Sequence, residues 1–490
     1  MGIIATILHE AGFSVRVIDN NSQYKFYSDR EFVKIIQSYS PDVIGFNITM
    51  LNALETYRLV KKIKGKYRNI ILVGGGIHMK YSYTEALKNG IDIVVTREGE
   101  KVVTPLFKHL EFKNKNTFKN GLEEIQGISF LKENGNLYLS EIFPVCDDLD
   151  QIPIVNYDLF NINDYIKTKR EPGLFFLTGQ RGCPFTCNFC SDPIQRKDRR
   201  VSSAEWMFKN VQHLYNKYQT HYIIIADNNF TFPRERAVEF CTRMISSGLN
   251  KKIRFSCQTK VETPLDIELL KLMKKAGFKK ISLGVERMIP YSLNQINKQS
   301  SSKKVYEALA AIKAANLEIG IFILIGFPFE TVELLKAEEK AFLSLKKYTS
   351  NFACNILQPS PGTVYYEDYT KIKEWYLDSH VLNLKRAYFA TVNEDYILGM
   401  LEPNFFNLEY DVIKEIQKFY LLFKEINYGN FLPEKTLFFS IMLKIDSLIA
   451  ESSKILFKYS PTIEYRIFKK IRFMRYFFGT LLFGKKVSSS

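Results

Sequence analysis

From residue 15 to about 110, short apolar runs alternate with stretches whose apolar positions recur at helical spacing. The runs at 15–18, 43–48, 70–73 and 91–95 read as strands. Strands separated by helices predict a parallel sheet joined by right-handed crossovers. The segment Val73-Gly74-Gly75-Gly76-Ile77-His78 follows one of them. An open sheet takes its ligands at such a carboxyl edge, and glycine there lets backbone come close. The run is not a GxGxxG fingerprint, and a plain chain reversal accounts for it equally well. A hairpin follows, with 128–131 and 137–139 flanking the turn signal Asn134-Gly135. Residues 147–153 then read as a linker.

Residues 174–358 repeat a strand-then-helix unit about six times, with strands near Leu174, Tyr222, Ile253, Ile281, Ile319 and Phe352. This predicts a partial barrel, in which chemistry gathers at the carboxyl ends of strands. Those ends carry Arg181, Asp227-Asn228-Asn229, Gln258, Glu286-Arg287, Gly326 and Gln358. Any strand turns polar as it leaves a core, so each of these alone has a bland explanation. Beyond residue 370 the pattern is helical, aromatic and basic, ending in Arg466-Ile467-Phe468-Lys469-Lys470-Ile471-Arg472-Phe473-Met474-Arg475-Tyr476-Phe477-Phe478. Cations interleaved with bulky apolar residues suit a membrane-surface or substrate-capping helix. An ordinary packed terminal helix suits them as well. The expected class is α/β: a Rossmann-like parallel sheet over residues 1–120, a hairpin and linker over 121–170, a partial (β/α)6 TIM-type barrel over 171–370, and a helical region over 371–490.

Composition narrows this. A chain of 490 residues that is 46% hydrophobic and 14% aromatic can bury several cores, so it is neither disordered nor fibrous. Of its seven cysteines, three crowd into eight residues instead of spreading as a disulfide framework would, which favours a reducing cytoplasm. The first residues have no basic leader, and no apolar run is long enough to span a bilayer. A cytoplasmic protein is expected, with peripheral membrane contact through the C-terminal region as a variant. Lysine and arginine outnumber aspartate and glutamate by 68 to 52, a formal charge of +16. That excess could attract nucleic acid, anionic lipid or a phosphorylated substrate, or could simply be a solvated surface.

The chemistry concentrates in Arg181-Gly182-Cys183-Pro184-Phe185-Thr186-Cys187-Asn188-Phe189-Cys190, a CxxxCxxC loop just after the first barrel strand. Three thiolates on one short loop can hold three irons of a cubane and leave the fourth without a protein ligand. An open position is what a catalytic metal needs. A zinc knuckle is the rival, but it wants a fourth Cys or His close by, and the loop offers none. Cys241 and Cys257 fall on a helix and a strand and read as small buried apolar groups.

With these residues in view, the sequence resembles the radical S-adenosylmethionine superfamily, whose signature is this spacing with an aromatic residue before the third cysteine, here Phe189. The resemblance implies that Cys183, Cys187 and Cys190 hold a 4Fe–4S cluster whose open iron is chelated by S-adenosylmethionine. One electron, from a flavodoxin- or ferredoxin-type donor, would then release a 5′-deoxyadenosyl radical; the cofactor carries the hard chemistry. Residues 281–286 resemble the family's fourth strand, 320–330 its fifth and 355–363 its sixth. By position Phe189, Glu286, Gly326 and Gln358 would meet S-adenosylmethionine.

The N-terminal part resembles the cobalamin-binding domain that precedes the barrel in one large subgroup. The matching residues are Gly74, Gly75, Gly76 and His78, then Glu98, Gly99 and Glu100, and the resemblance implies that they border cobalamin. In that domain a DxHxxG loop often supplies a cobalt-ligating histidine. Here His9-Glu10-Ala11-Gly12 echoes it, but Ile7 stands in place of the aspartate and the stretch reads as mid-helix, so His9 is expected on a surface. The family's first strand, normally central, is absent. Either the natural start lies upstream or this is a truncated copy, and the DNA upstream of the Met1 codon separates the two.

The resemblance implies a cobalamin-dependent methyltransferase acting on an unactivated carbon. It would have the cobalamin domain capping the carboxyl face of the barrel and the substrate held between. A cyclase, oxidase or rearrangement enzyme with the same cofactors is the alternative. A non-catalytic remnant that binds cluster or corrin is a third reading. A tRNA-methylthiolating relative would carry three further N-terminal cysteines, and none precedes Cys146. No stacking platform is readable either, which argues against nucleic acid. The basic aromatic terminus points to a small-molecule or lipid-like substrate.

Overall fold

The computed structural model describes residues 1–19, 27–49, 52–111, 113, 116–160, 162, 174–191, 199–357, 360, 362–367 and 408–429. The chain opens with α1 (Gly2–Glu10), on which His9 is exposed, as its place in the helix predicts. Next comes α2 (Asp29–Tyr39), started by a reciprocal capping box between Ser28 and Glu31. The alternating segment then gives β1 (Val43–Asn47), α3 (Ala53–Lys66), β2 (Ile71–Gly75), α4 (Met79–Lys88), β3 (Ile93–Val95) and α5 (Val103–Leu110). The hairpin supplies β4 (Ile128–Leu131) and β5 (Leu137–Leu139). These strands lie side by side in chain order, β1 to β3 parallel and β4 and β5 antiparallel. The hairpin therefore continues the first sheet.

Both faces of this sheet are covered, which is why its strands read as unbroken apolar runs. Leu72 and Val94 pack under Val60 and Ile63 of α3. Ile71, Val73, Ile93 and Val95 pack under Leu106 and Leu110 of α5.

One expectation is corrected. Residues 15–18 form no strand; the Val17 N–H donates to the Leu159 carbonyl at 3.0 Å instead. β1 is the edge of the sheet, so the 15–18 segment has no neighbouring strand among the described residues, and apolar composition without a ladder partner does not make a strand. The expected linker is a packed strap between the two halves. Leu149–Gln151 is a 3₁₀ turn, and Cys146, Leu149 and Ile152 pack with Ile3 of α1 and Trp206. The Trp206 indole donates to the Ile152 carbonyl at 2.9 Å.

The second half opens with β6 (Leu174–Leu177) and a two-stranded ribbon, β7 (Gln180–Arg181) with β8 (Arg200–Val201). It then runs α6 (Ala204–Tyr218), β9 (Tyr222–Ile225), α7 (Arg234–Ser246), β10 (Arg254–Lys260), α8 (Ile267–Lys275), β11 (Phe278–Glu286), α9 (Pro290–Gln295), α10 (Ser302–Ala314), β12 (Glu318–Ile325), α11 (Val332–Leu343) and β13 (Phe352–Ile356). Strands β6, β9, β10, β11, β12 and β13 pair in that order, all parallel. The six strands fall where the sequence places them.

Alternation decides which side chains go where. Phe175 and Leu177 join Met207 and Val211 beneath the helices, while Phe176 between them points the other way and is 61% exposed. The opposite face is thus the trough of a half-barrel. A short α12 (Val364–Glu367) follows, and α13 (Tyr410–Gly429) packs Phe419 and Phe423 against Phe342, with Phe423 also on Phe352. Helix 410–429 agrees with the helical pattern expected past residue 370; the basic stretch 466–478 lies outside the described residues. Among the described residues no helix is long and apolar enough to cross a membrane.

Candidate functional site

Cys183 and Cys187 are buried and Cys190 half-buried, all outside any disulfide, on the loop that leaves β7. Gly182 turns the chain into the loop with φ +75°, a region that costs a side-chain-bearing residue about 1 to 2 kcal/mol. The loop is held from the far side of the trough. The Asn188 N–H donates to the Ile296 carbonyl at 3.1 Å, and the Asn297 amide donates to the Thr186 carbonyl at 2.8 Å.

Lys260, at the end of β10, brings its Nζ to 3.5 Å from Cys187 Sγ and lies 4.5 Å from the centre of the Phe185 ring. Burial disfavours its charge, but Cys187, Cys183, Glu262 and Cys190 outweigh that and hold its pKa above the usual value.

Beyond Lys260 lie further charged groups. Glu262 pairs with Lys298 at 3.4 Å, both side chains nearly sealed, yet neither Glu262 oxygen has a hydrogen bond. Glu286 ends β11 with φ +63°, just past a slip in the pairing with β12. Burial pushes its carboxyl above the ordinary range, against the pull of Lys298 and Lys260. Gly284 leaves room here; a Cβ on it would stand 3.0 Å from Glu286 Oε1. Gly326, with φ +88°, donates its N–H to both Glu330 oxygens at 3.0 Å. The Phe189 ring stands edge-on to Phe327 at 6.2 Å. Of the S-adenosylmethionine candidates, Phe189, Glu286 and Gly326 border the same strand ends as the cysteine loop, and Gln358 lies outside the described residues.

Lys260, Glu262 and Lys298 escape the sequence analysis. For Lys260 a signal exists, because alternation along β10 puts it on the trough face with Gln258; Lys298 sits in a turn and has none. Two of the polar strand ends are structural. Asp227 is fully buried, accepting from Gly179 N–H at 2.7 Å and from Arg236 at 2.5 Å. Asn229 accepts from Thr259 at 2.7 Å and donates to Thr263 at 2.8 Å. Cys241 and Cys257 are buried thiols whose pKa values burial raises, as their helix and strand positions predict.

In the first sheet, Gly76 turns at φ +107°, and a Cβ on it would collide with the Ile48 carbonyl oxygen. On Gly74 it would press on Ile91 at 3.2 Å and Ile48 at 3.3 Å. At Gly76, where backbone meets backbone, only glycine fits. His78 is buried; its Nε2 stands 3.7 Å from Glu85 Oε1, and neither atom has a hydrogen bond.

Glu98 and Glu100 face across to the second half. Arg181 Nη1 donates to Glu98 Oε2 at 2.8 Å, Arg181 Nη2 pairs with Glu100, and Arg200 Nη2 meets Glu98 Oε1 at 2.5 Å. Burial works against the charge of Glu98, and Arg200 and Arg181 overcome it, holding its pKa low. On the other flank, Tyr81 of α4 lies so close to Gly362 that a Cβ there would be 2.5 Å from the ring. Arg181 follows β6 and Gly362 follows β13, while Tyr81 and Glu98 follow β2 and β3. The carboxyl ends of the two sheets therefore face each other.

Comparison with known proteins agrees with this layout. Residues 1–106 match the B12 binding domain family and residues 177–339 the Radical SAM superfamily. The chain is 30% identical over 375 residues to an uncharacterised methyltransferase of Pyrococcus horikoshii, covering 75% of this chain and 77% of that one. It belongs to the radical SAM superfamily, in the group that carries a cobalamin-binding domain. It is also 28% identical over 333 residues to an anaerobic magnesium-protoporphyrin IX monomethyl ester cyclase of Cereibacter sphaeroides, and spans 53% of that protein's length. Among solved structures it shares the fold of the radical S-adenosylmethionine methyltransferase TsrM from Kitasatospora setae, with cobalamin and a 4Fe–4S cluster bound. The TM-score is 0.61 at 16% identity, over 74% of this chain and 72% of that one.

The two domains imply a 4Fe–4S cluster, S-adenosylmethionine and cobalamin, and the residues present fit all three. Among the described residues no three His, Cys, Asp or Glu side chains converge on a point one ion could fill. A cubane instead spreads its protein ligands one to each iron, which the loop spacing suits. The unfilled acceptors of Glu262 suit the ammonium of S-adenosylmethionine. The glycine turn, with the unbonded Nε2 of His78 at its end, suits a large ligand bearing polar groups.

Proposed function

We propose that this protein is a cobalamin-dependent radical enzyme that methylates an unactivated carbon of a small molecule. The facing of the two sheets' carboxyl ends carries this reading. A substrate between them would meet both reactive centres at once, and orientation of this kind is worth several kcal/mol of barrier. When bound, S-adenosylmethionine on the reduced cluster supplies a hydrogen-abstracting radical and methylcobalamin supplies the methyl group. In this reading Cys183, Cys187 and Cys190 hold the cluster, and Lys260 balances their negative charge. Glu262, Glu286 and Lys298 orient S-adenosylmethionine, with Phe189 and Gly326 beside the adenine. Gly74, Gly75, Gly76 and His78 border cobalamin.

The likeness to a methyltransferase supports methyl transfer; the likeness to a cyclase supports ring closure with the same residues. The product's mass separates them, since only methylation adds a methyl group. Anaerobically reconstituted protein with dithionite should convert S-adenosylmethionine to 5′-deoxyadenosine, and Cys187→Ala should abolish this. Unchanged turnover in that variant would overturn the assignment.

A further inference from the structure

Glu98 and Glu100 leave the first sheet just beyond β3, and the two arginines that meet them sit opposite each other on the β7–β8 ribbon, Arg181 paired with Arg200. The cysteine loop hangs from that ribbon, Arg181 standing two residues before Cys183. All four side chains are between 11% and 14% exposed. Glu98 is gripped along both oxygens: Arg200 Nη2 donates to Oε1 at 2.5 Å and its Nη1 to Oε2 at 3.0 Å, and the Cys146 N–H donates to Oε2 at 3.3 Å. Arg200 also donates to the Cys146 carbonyl. Behind the turn, Ile4 of α1 would be 3.1 Å from a Cβ on Gly99, so α1 backs the turn closely. Paired charges withdrawn from water are costly to separate, and a bidentate arginine–carboxylate pair has one preferred geometry. Such an arrangement fixes position more than it adds stability.

We propose that the Glu98–Gly99–Glu100 turn is a clamp that sets where the cysteine loop lies relative to the cobalamin domain. Glu98 and Glu100 act as positioning residues through Arg181 and Arg200. The clamp rests on the cluster reading of the three cysteines and goes beyond it: spacing between the two cofactors depends on four charges that need touch neither cofactor. Glu98→Arg puts three cations and one anion in the pocket. Glu98→Arg with Arg200→Glu restores two of each, leaving Arg181 opposite Glu100.

Two measurements on the full chain test this. In protein free of cofactors, hydrogen exchange of the amides in 180–190 should quicken roughly tenfold or more in Glu98→Arg, as the loop opens locally, and return toward wild type in the double variant. In protein loaded with cluster and cobalamin, pulsed electron paramagnetic resonance between the reduced cluster and cob(II)alamin should give one narrow distance. That distance should broaden in the single variant and narrow again in the double. If Glu98→Arg fails to fold, Glu98→Gln and Glu100→Gln carry the same test through smaller changes. Exchange and distance unchanged in the single variants, or a double variant no better than Glu98→Arg, would overturn the clamp. Wild-type protein that takes up no iron would sink the cluster reading alone, because the exchange experiment needs no cofactor.

Discussion

Asp227 and Arg236 form a sealed ion pair that ties the chain just before the ribbon to α7, and removing one partner should be expensive. The pair's side chains are 0% and 5% exposed. Arg236 donates to Asp227 at 2.5 Å and to the Gly179 carbonyl at 2.9 Å, and Asp227 takes the Gly179 N–H on its other oxygen. Arg236→Met keeps much of the volume but strands a buried carboxylate with one hydrogen bond. Breaking such a pair costs about 3 to 5 kcal/mol, most of it from the charge left alone. Arg236→Met with Asp227→Asn removes that charge, so the double variant should be more stable than Arg236→Met, with about 2 kcal/mol of coupling. The chain has two tryptophans, Trp206 and Trp375. Trp375→Phe leaves Trp206, which lies on α6 and packs against Leu149 and Ile152, as a fluorescent reporter of the barrel. With a urea slope of about 3 kcal/mol per molar, Arg236→Met should lower the barrel's midpoint by about 1 to 2 M. A loss below about 0.3 M, or a double variant weaker than Arg236→Met, would refute the premise that Asp227 is charged and dry.

Lys260→Met should make the cluster harder to reduce, because a cation beside Cys187 favours the more negative, reduced state; potentiometric titration followed by electron paramagnetic resonance reads this, and an unchanged potential would contradict it. Asp266 caps α8 through the Leu269 N–H at 2.8 Å, and its hydrogen bonds with Arg234 hold its pKa at about 2, below the ordinary 3.8. A depressed carboxyl pKa stabilises the fold fully above 3.8, and that contribution is lost as pH falls toward about 2. Asp266→Asn should therefore lower the melting temperature at pH 6 and make little difference near pH 2.

Much of the fold was legible because it is written in local periodicity. The six barrel strands are apolar runs bounded by turns, and the cysteine loop is a contiguous motif whose spacing carries its chemistry. The 15–18 run failed because a strand needs a neighbour, and no local pattern reports whether one exists. The charged groups around the cysteines were hidden for a different reason. Lys260, Glu262 and Lys298 come from a strand and separate loops, and only the pairing of β10 with β11 brings them together. Glu98 and Glu100 both bind Arg181, which stands 83 and 81 positions away from them. Resemblance pointed at the turn but could not tell which way its side chains face.

The packed strap between the halves bears on any attempt to produce them separately. Cutting the gene between Ile152 and α6 would strip Ile152, Leu149 and Ile3 from Trp206, leaving a greasy scar on each piece. Ionic partners would be orphaned beside it. Fragments made alone should clump or recruit chaperones, whereas the same fragments made together in one cell should find each other and recombine.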